Sequence, residues 1–79
     1  MITKVVLSRS GMGIEEGMVA RWLKAVGDQV SEGEIIVEIE TAKATQEIEA
    51  PATGVLARIL LQEGETAPVD TEIGEIESA

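Results

Sequence analysis

The stretch from residue 38 to residue 51, E-I-E-T-A-K-A-T-Q-E-I-E-A-P, predicts a β-hairpin with Lys43 at its tip. Its two arms, residues 37–40 and 46–50, alternate apolar with acidic or polar residues at a period of two. That period is the pattern of strands with one solvent-exposed face. The arms are separated only by residues 41–45, a segment short enough for a tight reversal. The hairpin therefore presents a single amine on a narrow loop.

Lys43 is isolated from other cations, because no other basic residue lies between Lys24 and Arg58. The arms behind it are acidic and carry Glu38, Glu40, Glu47 and Glu49. An exposed lysine near a sheet edge often serves only solubility and prevents strand pairing between molecules. The alternative is an amine presented for modification or binding, and from the hairpin alone the solubility lysine is the favoured interpretation.

The composition excludes several classes of function for residues 1–79, which we interpret as one domain. The chain has no Cys and no His, so it lacks thiolate ligands, disulfides and the usual general base. We therefore predict no catalytic residue and no metal site. The net charge of -9 argues against nucleic acid and anionic membranes and favours partners with positive patches. With Trp22 as the one aromatic residue, the core must be aliphatic.

The apolar pattern of the sequence predicts neither a membrane-spanning helix nor a signal peptide. No 18-residue apolar run exists, and the first four residues are not followed by the apolar stretch and cleavage site of a signal peptide. A soluble, cytoplasmic location is the expectation.

Two other segments are clear strands, and two are ambiguous. Residues 3–7 and 35–40 are rich in β-branched side chains and predict strands. Residues 18–26 fit helical and strand periods equally well, and residues 55–61 repeat that ambiguity. Residues 62–70 are rich in turn-forming residues.

Residues 8–17 contain three glycines and predict a loop after the first strand. The segment G-M-G at 11–13 is not a dinucleotide-binding loop. Its next glycine comes one residue too late, and no βαβ unit fits around it.

An internal repeat relates the two halves of the chain. A shift of 37 positions aligns residues 17–40 with residues 54–77 without a gap, and nine of the 24 aligned positions are identical. Such a repeat indicates one supersecondary unit used twice, and here it predicts a pseudo-twofold sandwich. The identical pairs are Gly17/Gly54, Ala20/Ala57, Arg21/Arg58, Leu23/Leu60, Gly27/Gly64, Ile36/Ile73, Glu38/Glu75, Ile39/Ile76 and Glu40/Glu77.

The repeat also predicts where Lys43 lies. Residues 3–7 would correspond to residues 46–50, and the hairpin after Glu40 to the point where the chain ends after Glu77. Both termini are therefore expected at one end of the molecule and Lys43 at the other. The loop 8–16 is an insertion relative to residues 51–53, which makes it a candidate for recognition by a partner enzyme.

With these features in place, the chain resembles the lipoyl domains of 2-oxo acid dehydrogenase complexes, which are related to biotinyl carrier domains. The resemblance covers nearly the whole chain. It is carried by Glu16-Gly17, Trp22, Gly27-Asp28, Val30, Gly33, Glu40-Thr41-Ala42-Lys43-Ala44, Glu49-Ala50-Pro51, Gly54 and Gly64.

The resemblance implies an all-β fold, a flattened barrel of two four-stranded antiparallel sheets, in which residues 18–26 and 55–61 are strands. It also implies that lipoate is attached to Lys43 by an amide, with Glu40, Thr41, Ala42 and Ala44 as flanking recognition residues. The implied partners are a lipoate ligase or lipoyl transferase, a 2-oxo acid decarboxylase and dihydrolipoyl dehydrogenase. The resemblance also implies that the domain is a non-catalytic part of a dihydrolipoyllysine acyltransferase. When isolated, the domain is expected to be a monomer.

The chain departs from the lipoyl pattern at one position, because Ala42 stands where family members usually have Asp. Biotinyl domains place Met on both sides of their lysine, and neither Ala42 nor Ala44 fits that pattern. A biotin carrier is therefore the second hypothesis. An unmodified acidic barrel that binds a basic partner is the third.

Overall fold

The computed structural model of the protein describes residues 1–7, 15–42 and 44–78. These residues form two four-stranded antiparallel sheets, so the predicted all-β sandwich is confirmed. The described part of the chain holds no helix long and apolar enough to span a membrane. The strands are β1 (Ile2–Val6), β2 (Glu16–Trp22), β3 (Gln29–Val30), β4 (Ile35–Glu40), β5 (Thr45–Glu49), β6 (Gly54–Ile59), β7 (Thr66–Pro68) and β8 (Glu72–Glu77).

The internal repeat of the sequence is a repeat of the fold. One sheet has the order β1-β8-β6-β3 and the other has β5-β4-β2-β7. The shift of 37 residues places β2, β3 and β4 on β6, β7 and β8, and a shift of 43 places β1 on β5. We call two residues related by these shifts repeat counterparts. Because every strand has its counterpart in the other sheet, the two sheets have the same order.

The two ambiguous segments are strands for only part of their length. In the first, β2 ends at Trp22, and the chain then turns at residues 25–28. Asp28 Oδ2 accepts the Ala25 amide at 2.9 Å, the Asp28 amide donates to the Ala25 carbonyl, and Gly27 has a φ of 97°. The strand expected over 18–26 is therefore wrong beyond residue 22, because this turn satisfies the backbone there. In the second, β6 ends at Ile59 rather than at residue 61.

Two further boundaries differ from the sequence-based expectation. The first strand covers Ile2–Val6 rather than 3–7, since the Leu7 amide donates to Thr71 outside the strand ladder. The turn-rich segment 62–70 contains a strand, Thr66–Pro68, at the edge of its sheet. An edge position tolerates the proline, which has no amide to donate to a neighbouring strand.

Ala20 and Ala57, one of the identical pairs, are bulge positions. The pairing of β2 with β4 passes from Val19 to Arg21, and that of β6 with β8 passes from Leu56 to Arg58. The skipped alanine is the extra residue in each ladder, and such bulges increase strand twist. Both copies of the repeat therefore have an alanine at the bulge.

The core between the sheets is aliphatic, as predicted. No polar or charged side chain is buried among the described residues. Trp22 packs against the rim of this core, and its indole Nε1 donates to the Leu61 carbonyl at 2.8 Å. The buried hydrophobic residues are Val5, Leu7, Val19, Val30, Ile36, Val37, Ile39, Ala50, Leu56, Ala67, Ile73 and Ile76.

Asp70 occupies a backbone conformation that favours glycine. Its φ is 71°, and its repeat counterpart Gly33 has a φ of 87°. The Asp70 amide donates to the Leu7 carbonyl at 2.7 Å, and the Gly33 amide donates to the Ala50 carbonyl at 3.0 Å. Leu7 and Ala50 are themselves repeat counterparts. The fold thus requires this conformation at both places, and only one of them carries the residue that adopts it freely.

We therefore expect Asp70→Gly to stabilise the domain by about 0.5–1 kcal/mol, because relief of the left-handed backbone outweighs the added entropy of the unfolded chain. The reciprocal Gly33→Asp should destabilise it by a similar amount. Urea unfolding followed by Trp22 fluorescence measures both. A loss of stability in Asp70→Gly would show that the Asp70 carboxylate contributes more than its backbone conformation costs.

Candidate functional site

The predicted hairpin is confirmed as the pairing of β4 with β5. Glu40 pairs with Thr45, Ile39 with Gln46 and Glu38 with Glu47. The second arm begins at Thr45, one residue earlier than expected. β4 is rich in β-branched residues, which favour strands, and its ladder with β5 is interrupted only between Ile35 and Val37.

The two faces of β4 have the expected polarity. Val37 and Ile39 are fully buried, whereas Glu40 is exposed and Glu38 is half-buried. Glu38 Oε1 lies 3.8 Å from Nε of Arg21, which is on the neighbouring strand β2. The apolar face therefore fixes the hairpin to the core, and the acidic face remains in water.

Thr41 joins the two arms where the strands end. Its amide donates to the Ala44 carbonyl at 2.9 Å, and its hydroxyl Oγ1 donates to the same carbonyl at 2.8 Å. The Ala44 amide donates back to Oγ1 at 3.2 Å. Ala42 and Ala44 are both exposed. Lys43, the predicted attachment residue, lies outside the described residues.

The predicted recognition loop, residues 8–16, also lies largely outside the described residues. Only Glu15 and Glu16 belong to the described part. Both flank a groove beside the hairpin that Gly17, Met18, Glu40, Thr41, Ala42 and Thr66 also line.

The hairpin and the termini lie at opposite ends of the barrel. Pro68 pairs with Glu16, and the Val69 amide donates to the Glu15 carbonyl, so β8 starts at the hairpin end. It then runs to Glu77, which pairs with Ile2. The Met1 amino group donates to the Ser78 carbonyl at 3.0 Å. This arrangement is the one that the repeat predicts.

The charges at the hairpin end are negative and unpaired within the described ranges. Glu15, Glu16 and Glu40 form no ion pair there. The ion pairs of the described residues lie elsewhere: Lys4–Glu72, Arg21–Glu38, Lys24–Glu34 and Arg58–Glu75. A positively charged partner surface would therefore meet uncompensated carboxylates beside the hairpin.

The Glu34 carboxyl has a lowered pKa because of its hydrogen bonds. The Ser31 amide donates to Glu34 Oε1 at 3.0 Å and lowers the pKa of this carboxyl below its usual value, with a further contribution from Lys24 Nζ at 3.1 Å. This carboxylate closes the 31–34 turn. Its role is therefore in the turn that precedes β4.

The described residues on either side of Lys43 in the sequence have small side chains that are exposed. Among the described residues, no three carboxylates come together as metal ligands would. Ala42 and Ala44 are exposed, and Thr41 is hydrogen-bonded to Ala44 where β4 and β5 meet. Such an arrangement can hold out a side chain for another protein to modify.

The role of the Thr41 hydroxyl was missed from the sequence, where Thr41 was only a flanking residue. A signal was present: the repeat counterpart of Thr41 is Ser78, which also carries a hydroxyl. A hydroxyl kept at both ends of a repeat indicates a shared hydrogen bond.

With this geometry established, comparison with known proteins identifies the family. A family model described as "Biotin-requiring enzyme", the biotin/lipoyl model, matches residues 3–76. The chain belongs to this biotin/lipoyl family.

Similar curated proteins bear dihydrolipoyllysine names. The succinyltransferase component of the 2-oxoglutarate dehydrogenase complex of Rickettsia conorii is 41% identical over 76 residues, which are 96% of this chain and 19% of that protein. The acetyltransferase component of the acetoin cleaving system of Bacillus subtilis is 45% identical over 73 residues, 92% of this chain and 18% of that protein. The chain thus spans about a fifth of the length of these relatives.

Solved structures confirm the resemblance to lipoyl domains. The lipoyl domain of the 2-oxoglutarate dehydrogenase complex from Azotobacter vinelandii superposes with a TM-score of 0.73 at 34% identity, covering 94% of this chain and 96% of that one. The urea carboxylase of Kluyveromyces lactis gives a TM-score of 0.82 at 21% identity, over 98% of this chain and 6% of that one. The second likeness shows the fold alone.

Proposed function

We propose that the chain is a lipoyl carrier domain, residues 1–79, with lipoate attached by an amide to Lys43. The observation that carries the proposal is the position of Lys43 in the sequence. It lies between Ala42 and Ala44 in the short segment that joins β4 to β5, in a chain similar to dihydrolipoyllysine acyltransferase components. Because both flanking side chains are small and exposed, they leave an attaching enzyme room to reach the amine.

The chain's own residues supply position in this role. A lysine amine with an ordinary pKa of about 10.4 is almost wholly protonated at neutral pH and is a poor nucleophile. Attachment therefore requires an enzyme that activates the carboxyl group of lipoate and recognises the hairpin through Glu40, Thr41, Ala42 and Ala44. Once bound, the dithiolane supplies the acyl and electron chemistry, and the barrel carries it between active sites.

The wider setting follows from the relatives. The domain would be a non-catalytic part of a longer acyltransferase, since the chain spans about a fifth of the length of the proteins that it matches. Its partners would be a lipoate ligase or lipoyl transferase, a 2-oxo acid decarboxylase and dihydrolipoyl dehydrogenase. A cytoplasmic location and a monomeric state stay predictions.

A biotin carrier is the second candidate function. It is favoured by the description of the family model and by the likeness of the fold to urea carboxylase. The two alanines that flank Lys43 argue against it, because biotinyl domains resemble one another in having Met at both positions.

Intact-mass spectrometry tests the proposal and separates the two candidates. The purified domain is incubated with ATP and a lipoate ligase plus lipoate, or with a biotin ligase plus biotin. We expect one lipoyl addition per chain and no biotin addition. Addition of biotin alone would establish the second candidate, and no addition by either enzyme would contradict both.

A further inference from the structure

The Thr41 hydroxyl closes the hairpin with more bonds than a strand end requires. The amide of Thr41 already joins the two arms through the Ala44 carbonyl at 2.9 Å. Oγ1 then forms a second bond to that carbonyl, at 2.8 Å, and accepts the Ala44 amide at 3.2 Å. Three hydrogen bonds thus join Thr41 to Ala44, and two of them depend on one hydroxyl.

The repeat shows that this clamp is independent of the residues that it encloses. The repeat counterparts of Thr41 and Ala44 are Ser78 and Met1, which are joined by no short loop. There the Ser78 amide donates to the Met1 carbonyl at 2.9 Å, and the Ser78 hydroxyl donates to the same atom at 3.4 Å. The same pair of bonds forms without a connecting turn, so a tight turn does not impose it on Thr41.

At the hairpin end, the clamp has a consequence that the terminal end lacks. In the sequence only Ala42 and Lys43 lie between Thr41 and Ala44. Thr41 is hydrogen-bonded to both the amide and the carbonyl of Ala44. These bonds therefore fix the two residues, Thr41 and Ala44, between which the two-residue segment is attached. Fixed ends limit the region that this segment can reach, and an amine must come within about 3–3.5 Å of its acyl donor to react.

We propose that Thr41 is a positioning residue for the modification of Lys43: its hydroxyl holds Ala44 so that the attaching enzyme meets the lysine in a restricted set of positions. This inference rests on the proposed function. In this proposal the hydroxyl acts through the backbone of Ala44, to which it is hydrogen-bonded. An unclamped segment would have to be ordered during binding, which lowers the apparent affinity.

The test compares three variants in a lipoate ligase assay. Thr41→Val keeps the shape of the side chain and removes the hydroxyl, whereas Thr41→Ser keeps the hydroxyl. Thr53→Val is the matched control, because Thr53 Oγ1 accepts the Glu32 amide at 2.9 Å in a turn that is separate from the hairpin. The initial rates of lipoyl addition give kcat/KM, and hydrogen exchange by NMR reports on the Ala44 amide.

We expect Thr41→Val to lower kcat/KM about three- to tenfold, the equivalent of one lost hydrogen bond. Exchange of the Ala44 amide should accelerate by a similar factor, because it loses its acceptor. Thr41→Ser should restore both values to within about twofold, since serine keeps a hydroxyl that can both donate to the Ala44 carbonyl and accept the Ala44 amide. Thr53→Val should modify at the wild-type rate.

Two outcomes would overturn the inference, and they differ from failure of the proposed function. If Thr41→Val is folded and modifies as fast as Thr53→Val, the clamp is only structural. If Thr41→Ser modifies as slowly as Thr41→Val, the hydroxyl is not what positions the lysine. If the wild-type domain accepts no lipoyl group, the proposed function fails, and the inference fails with it.

Discussion

Lys43→Gln is expected to abolish lipoyl addition completely, so that the intact mass stays at the unmodified value after exhaustive incubation with ligase, ATP and lipoate. Glutamine keeps much of the length and polarity of lysine but has no amine that could form the amide. Because the hairpin is anchored by Val37 and Ile39 rather than by its tip, the fold should remain intact. Trp22 fluorescence and the urea midpoint check this.

Lys24→Gln is the matched control for this prediction. Lys24 is partly exposed and lies 3.1 Å from Glu34, in an ion pair away from the hairpin tip. Its replacement should leave one lipoyl addition per chain. A mass shift that survives Lys43→Gln but disappears in Lys24→Gln would move the attachment site and refute the proposal for the hairpin.

Local periodicity did not predict the strands within residues 18–26 and 55–61. Residues 18–26 fit both a helix and a strand, because their apolar residues satisfy both periods. Strand pairing decides the matter, since Val19 pairs with Ile39 and Trp22 with Val37 on β4. Those are long-range contacts, and no local pattern contains them. The resemblance to lipoyl domains supplied the strand assignment but not the end of the strand at Trp22.

The short strands were less predictable than the long ones. Thr66–Pro68 carries a proline and lies among turn-forming residues, so the sequence alone favours a loop. Its counterpart Gln29–Val30 is only two residues long, but it is a strand through its pairing with β6. Both elements depend on an existing sheet, whereas β4 has a strong preference of its own.

At the candidate site, the sequence predicted the paired arms of the hairpin but not the hydrogen bonds that join Thr41 to Ala44. The alternation of β4 and β5 predicted the acidic arms and the position of the turn. The bonds of Thr41 depend on the register in which Glu40 faces Thr45, and a shift by one residue would remove them. Such hydroxyl contacts follow from three-dimensional pairing and not from residue type.

Two of the matched glycines, Gly17 and Gly54, show where the repeat is not symmetric in its packing. A Cβ at Gly17 would lie 2.6 Å from Ile39 Cγ2, a methyl group on the β-carbon of a buried side chain. A Cβ at Gly54 would overlap the Glu77 carbonyl oxygen and lie 2.8 Å from the Glu77 carbonyl carbon. The first obstacle belongs to a side chain that can shift slightly within the core, whereas the second belongs to the backbone of β8.

Gly54→Ala is therefore expected to destabilise the domain by about 3 kcal/mol or more, and Gly17→Ala by only about 1–2 kcal/mol. Glu77 is paired on both sides, with Ile2 of β1 and Val55 of β6, so relief of the overlap would disturb two ladders. In a domain of this size the total stability is about 4–12 kcal/mol, and the first variant should lose a large share of it.

Urea unfolding followed by Trp22 fluorescence measures both variants, with equal slopes as the check that the same surface is exposed. The two substitutions are chemically identical and lie at repeat counterparts, so each is the control for the other. Equal losses of stability in the two variants would indicate that the β8 backbone shifts as easily as the Ile39 side chain, which would contradict the prediction. A larger loss at Gly17 would instead place the tighter packing at the hairpin end, because Ile39 anchors β4 and could not rotate without opening the core beneath the lysine.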